Sequence, residues 1–288
     1  MKIHNLTENR HTDFFEFNRK VYPRRKEVVE RFNFQFLGNP LLQDKSGPHI
    51  LIACDADDQI IGQMGAMPLK YHFENQIQSG FCGCDFFVLE EYRKKGVGGF
   101  LKFKSMKEFE PWFSIGMSED SKKLLVAAKA KRIGSVYSMI WFRGLPSLIK
   151  SAYWFVFKKE NQSGHKQSQL IRFPEFLSHK SHTFKKISSL GQREDIPWKD
   201  GTLMFTRSSE FITWRFLNEE RYAIYVLEED NSTYFAVRKI KLLGSDFLAI
   251  VDYRVPFEDK ETFESIVYTS KKMAKILGCQ GILTMSSH

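Results

Sequence analysis

The sequence predicts an α/β fold (α+β, with mixed sheets that combine parallel and antiparallel strands) built from two similar halves. Predicted elements follow the order helix, strand hairpin, buried strand, helix, strand in the first half. The same order recurs from Ser208 onward, and a basic, glycine-rich turn at 93–99 joins a predicted strand to a helix. We therefore expect an N-terminal domain at 1–157, connecting elements at 158–207 and a C-terminal domain at 208–288.

The first half contains helices up to about residue 40 and then mostly strands. Phenylalanines at helical spacing indicate the early helices. The turn residues 55–58 predict a hairpin, and Ser118 is expected to cap the last helix of this half. After Pro48 we predict strands at 49–54, 59–71 and 81–89, a helix from 97 to about 110, a strand at 112–116 and a helix at 118–131. The strand at 81–89 is almost wholly apolar, which favours a central position with both faces buried.

The second half repeats the architecture without repeating the residues. We predict a short helix at 211–217, strands at 222–227, 234–241 and 247–252, a helix at 259–277 ended by Gly278, and a strand at 281–285. Between the halves, 158–200 is rich in Lys, His and Ser and is interpreted as irregular. His179 and His182 have the spacing of a metal pair, but no cysteine or carboxylate cluster completes a site, so no metal is expected.

Composition and charge narrow the class of protein. With 288 residues and 42% hydrophobic residues the chain can bury a core, which excludes disorder as its dominant state. It has no apolar run of about 20 residues and no apolar signal core, so we expect a cytoplasmic protein with no membrane span and with reduced cysteines. Its charge of +9 is concentrated in 93–199, which indicates an anionic partner, with a solvated basic surface as the alternative.

The glycine-rich turn at 93–99 is the most informative segment, and we call it the cradle. Glycines remove side chains, so backbone N–H groups can approach a diphosphate, and the positive end of the following helix points at the same place. Arg93, Lys94 and Lys95 add cationic side chains at its rim. The segment is not a Rossmann fingerprint, which needs the pattern G-x-G-x-x-G. It is not a P-loop either, because a P-loop ends in Gly-Lys-Ser/Thr.

In this segment the sequence resembles the GCN5-related N-acetyltransferase (GNAT) superfamily. The family's acyl-CoA motif, Arg/Gln-x-x-Gly-x-Gly/Ala, is matched by Arg93, Gly96 and Gly98, and the resemblance in element order covers about 1–150. Residues 214–216 and the strands after them resemble, more loosely, the second half of tandem GNAT-like proteins from bacterial surface-polysaccharide gene clusters. The resemblance implies that the CoA pyrophosphate is held by Arg93, Lys94, Lys95, Gly96, Val97, Gly98 and Gly99, and pantetheine by the backbone of Phe87 and Val88.

The resemblance implies direct transfer of an acyl group from acetyl-CoA to a primary amine. Asp85 is the expected base, because a carboxylate in an apolar strand should have a raised pKa; a structural Asp is the alternative. The family often places a tyrosine acid in the helix predicted at 118–131, which has none, so Tyr137 or solvent is expected to protonate the thiolate. Cys82 and Cys84 are disfavoured as nucleophiles, since buried strand cysteines are usually inert.

The expected function is therefore an N-acetyltransferase with one acyl-CoA site, because no glycine follows the strand at 247–252. Its acceptor is expected to be an amine, such as an amino sugar linked to a nucleotide. One alternative is a GNAT-like module that binds CoA without catalysis. Another is an aminoacyl-tRNA-dependent transferase of the FemABX type, which the basic charge suggests. Nucleic-acid binding is not expected, since the aromatic residues lie in core-like strands.

Overall fold

The computed structural model describes residues 1–23, 25, 27–42, 47–157, 171–191, 203–218, 220–256 and 258–286. The first elements are β1 (Lys2–Asn5), α1 (His11–Val21), α2 (Val28–Phe32, continued by a π-helical turn at Asn33–Leu37), β2 (Ile50–Cys54), β3 (Ile60–Phe73), β4 (Gln76–Val88), α3 (Glu90–Arg93), α4 (Val97–Glu108), β5 (Trp112–Phe113) and α5 (Glu119–Ala127). They are followed by β6 (Tyr137–Phe142), α6 (Leu145–Phe157), β7 (Phe176–His179), β8 (His182–Ile187), β9 (Met204–Phe205), α7 (Ser209–Ile212, continued by a π-helical turn at Thr213–Leu217), β10 (Tyr222–Leu227), β11 (Tyr234–Leu242), β12 (Ser245–Arg254), α8 (Lys260–Ile276) and β13 (Gly281–Ser286).

The chain forms two compact units. The first contains Met1–Ile133 with Leu203–Thr206, and the second contains Gly134–Thr202 with Arg207–His288. These limits differ from the predicted domains, because β6 pairs with β13 in the sheet of the second unit and β9 pairs with β3 in the sheet of the first. Much of the predicted connecting segment, including 158–170 and 192–202, lies outside the described residues.

The first unit is a sheet in the order β1-β2-β3-β4-β5 with helices on both faces. All neighbours on this path are antiparallel except β4 and β5, which are parallel. The α1–α2 side buries Phe14, Phe17 and Phe36. The α4 side buries Val97 and Leu101. The apolar faces of three helices thus cover both surfaces of the sheet, and the phenylalanines that predict the early helices lie on the α1–α2 side.

The second unit is a sheet in the order β6-β13-β12-β11-β10-β8-β7. Its strand β12 runs parallel to β13 and antiparallel to β11. One face packs on α8 through Ile266 and Met273, and the other packs on the α7 segment through Ile212 and Phe216. Each face of this sheet therefore also carries a buried apolar layer.

The predicted recurrence of element order is confirmed. In each unit a short helix runs into a π-helical turn, at Asn33–Leu37 and at Thr213–Leu217, and is followed by a hairpin, a third strand, a helix and a strand parallel to the third. A register shift also interrupts the pairing of the second and third strands in both units. The two halves therefore share backbone irregularities as well as element order.

Some elements escaped the sequence analysis. The short strand β1 was covered by a helical interpretation, and the β7–β8 hairpin lies in a segment interpreted as irregular. In that hairpin the His182 ring contacts the hydroxyls of Thr262 and Ser265 at 3.0 and 3.1 Å, and His179 stacks on Tyr268. Both histidines therefore hold the hairpin against α8. Across the residues described, no helix combines the length and the apolar character that a membrane crossing needs.

Candidate active site

The strands β4 and β5 separate like the arms of a fork. They pair only at Phe81 with Trp112 and at Cys82 with Phe113, after which β5 ends and β4 continues to Val88. Among the described residues, no strand pairs with β4 on this side beyond Cys82. The predicted strand is therefore half-buried instead of buried on both faces, because its neighbour is two residues long. We use the term fork for residues 83–88 of β4 together with 112–114.

A β-bulge lies in β4 inside the fork. Gln63 of β3 pairs with Phe87 and Gly65 pairs with Cys84, so Asp85 and Phe86 lie opposite a single residue. Asp85 has a φ of 49°, a left-handed conformation that Asp and Asn tolerate better than most residues. The extra residue reverses the side-chain alternation, so that Cys84 packs on the α1–α2 side and Phe86 on the α4 side.

Polar contacts hold the bulge in place. The Asp85 carboxylate, 12% exposed, accepts a hydrogen bond from Arg25 at 2.7 Å and lies 3.4 Å from Arg31. Its backbone carbonyl accepts from Gln63 Nε2 at 3.0 Å, and the Gln63 side-chain oxygen accepts from Asn18 at 2.8 Å. Arg25, Gln63 and Asn18 were missed by the sequence analysis, because they are distant in sequence and belong to no motif.

The second unit contains an equivalent of this ion pair. Asp252 lies in the irregular part of β12, is 12% exposed, and accepts from Arg207 Nε and from the Tyr234 hydroxyl, both at 2.7 Å. In each unit the arginine precedes the short helix that runs into the π-helical turn. The second unit has no glycine-rich cradle, so the pair recurs where no CoA motif exists. The assignment of Asp85 as the base stays a prediction, and this recurrence favours its structural alternative.

A neutral phenol packs beside the bulge. The Arg25 guanidinium lies 3.5 Å from the ring centroid of Tyr22, and the same ring makes an edge contact with Phe87. Burial and then the nearby Asp85 carboxylate raise the pKa of Tyr22 to about 12. This residue was also missed, since α1 carried no recognisable site pattern.

The cradle follows β4 directly. Gly96 has a φ of 79° and directly precedes α4. The Phe100 amide in the first turn of α4 donates a hydrogen bond to the Gly96 carbonyl. The amides of Val97, Gly98 and Gly99 therefore have no carbonyl available one turn earlier in this helix. A Cβ on Gly98 would lie 3.3 Å from the Phe86 ring, tighter than usual contact. Arg93, Lys94 and Lys95, which precede these amides in the chain, are exposed, and Lys95 Nζ lies 4.7 Å from the Tyr92 ring centroid.

The end of β4 is fixed to the cradle by Arg93. Its Nε donates to the Val88 carbonyl at 3.1 Å. Arg93 thus has a structural contact in addition to its predicted role in binding the pyrophosphate. The Leu89 amide donates to the Ile61 carbonyl of β3. Because successive amides of a strand point to opposite sides, the Val88 amide is directed away from β3, to the open edge of the fork. The Phe87 amide is directed to β3. Of the two residues predicted to hold pantetheine, the register therefore favours Val88.

Two further predicted groups are placed by the structure. Burial raises the pKa of the Cys82 thiol, and more strongly that of Cys84, whose sulfur accepts from Gln35. Both are free cysteines whose neutral form is favoured, which supports the expectation that they are inert. Tyr137 lies on β6 in the second unit and is 61% exposed, so its role as acid stays a prediction.

Part of the basic charge is neutralised locally. Lys186 forms an ion pair with Glu175, and Lys180 lies 3.8 Å from Glu261. Lys158 and Lys159, two basic residues of the same charged stretch, lie outside the described residues. Lys180 and Lys186 therefore each have a carboxylate nearby.

One described cluster has the residue types of a metal site. His4, Cys54 and Asp58 place one potential ligand atom each within 4.8 Å of one another. The Arg10 guanidinium contacts two of these three groups, donating to Asp58 at 2.6 Å and approaching the Cys54 sulfur at 3.9 Å. Burial raises the pKa of this thiol. A guanidinium therefore occupies the place that a cation would need.

Known structures share this fold. No family model matches the sequence, and no curated protein matches it significantly. A conserved protein from Enterococcus faecalis, described as a probable N-acyltransferase, is 12% identical with a TM-score of 0.56, and the match covers 99% of this chain and 64% of that one. Saccharomyces cerevisiae N-myristoyltransferase with bound myristoyl-CoA gives 10% and 0.51, covering 99% and 72%. A GCN5-related N-acetyltransferase from Anabaena variabilis gives 10% and 0.51, covering 99% and 66%.

These matches define the fold of the chain. It is the GNAT fold, which is the fold that the resemblance implies. At 10–12% identity the likeness shows the fold alone. This chain spans slightly less than two thirds of the enterococcal protein and of the Anabaena protein.

Proposed function

We propose that the protein is an acyl-CoA-dependent N-acyltransferase with one acyl-CoA site, in its first unit. The observation that carries this proposal is the continuity of the open β4 edge with the cradle. The fork provides an unpaired strand edge, and the bulge interrupts it at Asp85. The edge is followed directly in the chain by the cradle, with the exposed residues Lys94 and Lys95 and the first amides of α4. An elongated ligand with a diphosphate at one end fits this arrangement.

Each part of the site has a defined task in this proposal. The amides of Val97, Gly98 and Gly99 bind the pyrophosphate, and Lys94 and Lys95 neutralise its charge. Pantetheine pairs with the open edge of β4 as an added strand does. The Val88 amide polarises the thioester carbonyl, where negative charge develops as the acceptor amine attacks.

The predicted base has ion-pair partners, and the predicted acid belongs to the second unit. The predicted base Asp85 is engaged by Arg25 and Arg31, so we propose that it shapes the bulge and that the acceptor amine reaches the site already neutral or loses its proton to solvent. The predicted acid Tyr137 lies in the other unit. Nothing in this arrangement requires an acyl-enzyme, because Cys82 and Cys84 are held as neutral thiols.

We propose acetyl-CoA as the acyl donor and an amine of a nucleotide-linked amino sugar as the acceptor. The support for the acceptor is the looser resemblance of the second half together with a basic chain of net charge +9, which suits an anionic diphosphate. Longer acyl groups are a necessary comparison, since the yeast N-myristoyltransferase shares the fold. A panel of acetyl-CoA and myristoyl-CoA against amines would decide both points.

The cradle is tested by a charge-matched pair of double variants. In Lys94→Gln/Lys95→Gln both rim charges are lost, and we expect acetyl-CoA affinity to fall about 10-fold at low salt and less at 0.5 M salt, because exposed charges are screened. Lys122→Gln/Lys123→Gln removes the same charge from α5, where both lysines pair with neighbouring carboxylates, and should leave affinity unchanged. Equal losses in the two variants would contradict a local site.

The same assays separate the alternatives. Thermal stabilisation by CoA with no turnover of any amine would favour the non-catalytic binding module. Tight, steeply salt-dependent binding of tRNA with no response to CoA would favour the FemABX-type transferase. Turnover of acetyl-CoA that requires an added amine, with release of one CoA thiol per acylated amine, is the result that the proposed function predicts.

A further inference from the structure

Lys102 is a buried cation inside the first unit. It lies in the second turn of α4, and its side chain is 2% exposed, although lysine is almost never fully buried without a charged partner. Its Nζ donates to Ser114 Oγ at 3.2 Å and lies 4.9 Å from the Trp112 ring centroid. No ion pair between Lys102 and a carboxylate occurs in the described part of the chain.

The position of this ammonium group joins the two arms of the fork. Phe86, directly after the bulge residue, lies 5.9 Å from Nζ on the β4 side. Trp112 and Ser114 lie on the β5 side, and the Trp112 indole donates to the same Ser114 oxygen at 2.8 Å. The backbone of Lys102 belongs to the helix whose first turn forms the cradle. The Nζ atom therefore lies between the two arms of the fork, close to the bulge. The Lys102 backbone lies about one helical turn after the cradle.

The surroundings of Lys102 favour loss of its proton near neutrality. Burial lowers the pKa of Lys102 to about 8, and the Cys82 thiol on β4 opposes this only in part. The other groups around Nζ are the rings of Phe86 and Trp112 and the Ser114 hydroxyl, which do not titrate in this range. An acid whose pKa lies close to the working pH is efficient in proton transfer.

A purely structural lysine does not account for this arrangement. Burying an ammonium group without a carboxylate is costly, and an apolar residue of similar length would fill the same space without that cost. The single hydroxyl contact to Ser114 satisfies one of its three N–H groups. The Nζ atom lies among residues of the fork, and the proposed function places the thioester at Val88 of the same fork.

We propose that Lys102 is the catalytic acid that protonates the departing CoA thiolate; this inference rests on the proposed function. The acceptor nitrogen bonds to the thioester carbonyl carbon, and the C–S bond breaks with its electron pair passing to sulfur. One proton passes from Lys102 Nζ to that sulfur. Lys102, then neutral, is reprotonated by solvent, and the acylated nitrogen releases its own proton to solvent. Lys102 thus takes the role predicted for Tyr137.

Steady-state kinetics on the full chain with acetyl-CoA test this role. For Lys102→Met we expect kcat to fall about 100-fold while the KM for acetyl-CoA changes less than threefold, because general acid catalysis contributes about that factor. Lys107→Met, on an exposed position of the same helix, should be unchanged. Tyr137→Phe should also retain kcat. A kcat of Lys102→Met within threefold of wild type, or a 100-fold loss in Tyr137→Phe alone, overturns the proposal.

The pH profile provides a readout that a structural role would not move. Wild-type kcat should decline above about pH 8 as Lys102 loses its proton. Lys102→Arg keeps a positive charge that does not titrate in this range, so it should lose both rate and this decline. An unchanged decline in Lys102→Arg would contradict the assignment.

A measurement on the wild-type chain covers the case in which variants fold poorly. Lysine side-chain NMR should show one resonance that titrates near pH 8, whereas an exposed lysine titrates near 10.4. A Lys102 midpoint above 10 overturns the proposal. If the wild-type chain neither binds nor turns over acyl-CoA, both the proposed function and this inference fail. If the wild-type chain is active and Lys102→Met is equally active, only this inference fails.

Discussion

Replacing Asp85 by Asn separates its structural role from a catalytic one. Asn has the same shape and also tolerates the left-handed conformation at φ 49°, so the substitution removes the charge and little else. The lost contacts are the 2.7 Å bond from Arg25 and the 3.4 Å approach of Arg31. Removing such a structural contact should reduce stability more than it reduces the rate of the chemical step.

The size of the effect follows from exposure. A hydrogen bond to a charged group contributes about 1.5–3 kcal/mol. Arg25 is 28% and Arg31 is 47% exposed, so solvent screening places the loss near the low end, at ~1–2 kcal/mol. For a domain of this size each kcal/mol lowers Tm by about 2–4 °C, so Asp85→Asn should lower Tm by roughly 2–8 °C. Its kcat should stay within about fivefold of wild type.

Thermal unfolding and a kcat–pH profile on the same samples are the assay. Asp252→Asn is the matched control, because it removes an ion pair of equal length from the second unit. It should lower Tm similarly and leave acetyl-CoA binding unchanged. A kcat loss above 100-fold in Asp85→Asn with unchanged Tm, together with loss of the acid limb of the pH profile, would refute the structural role and restore Asp85 as the base.

Further predictions address other parts of the molecule. Gly98→Val should weaken acetyl-CoA binding at least 10-fold by calorimetry, because its side chain meets the Phe86 ring, whereas Gly191→Val, with open space around it, should have no effect. Cys84→Ser should retain turnover, and loss of turnover would indicate a nucleophilic thiol. Asp259→Ala should lower the free energy of unfolding in urea by about 1 kcal/mol, because the carboxylate caps α8; Asp259→Asn should cap nearly as well.

The cap at Asp259 also has a pH dependence. Burial opposes the shift, but hydrogen bonds from the Thr262 hydroxyl and amide lower the pKa of Asp259 below its ordinary value. A depressed pKa in the folded state stabilises the fold above about pH 4, and this contribution is lost as the pH falls through the folded value. Because a neutral side chain at this position still caps the helix, the stability difference between wild type and Asp259→Ala should shrink as the pH falls through the folded pKa of Asp259 without disappearing. A constant difference between pH 2 and 7 would contradict this.

Sequence reasoning identified the cradle and most elements because their signals are local. The strand at 222–227 and the helices α4 and α8 follow from apolar periodicity and caps, and Gly96 and Gly98 from the motif. The separation of β4 and β5 has no local signal in the sequence. It depends on the length of β5, which ends at Phe113 although the apolar pattern predicts a strand to 116.

The groups that shape the site were not visible, because they act across large sequence distances. Arg25 meets Asp85 60 positions away, and Gln63 reaches the same residue 22 positions away. Lys102 follows buried Leu101 and lies one turn before buried Ser105, at the margin of the apolar face of α4. A lysine at such a margin is usually interpreted as exposed. Its burial results from the fork, which provides Ser114 and Trp112 beside its Nζ atom.

Titration calorimetry of the full chain with acetyl-CoA tests the central claim most directly. The cradle and open strand edge occur together in the first unit, whereas β12 of the second unit ends at Arg254 and is followed by Val255, Pro256 and Phe257 in the sequence, without a glycine. We therefore predict one bound acetyl-CoA per chain, with affinity lost in Lys94→Gln/Lys95→Gln at low salt. No binding at millimolar acetyl-CoA, or two equivalent sites per chain, would contradict the account.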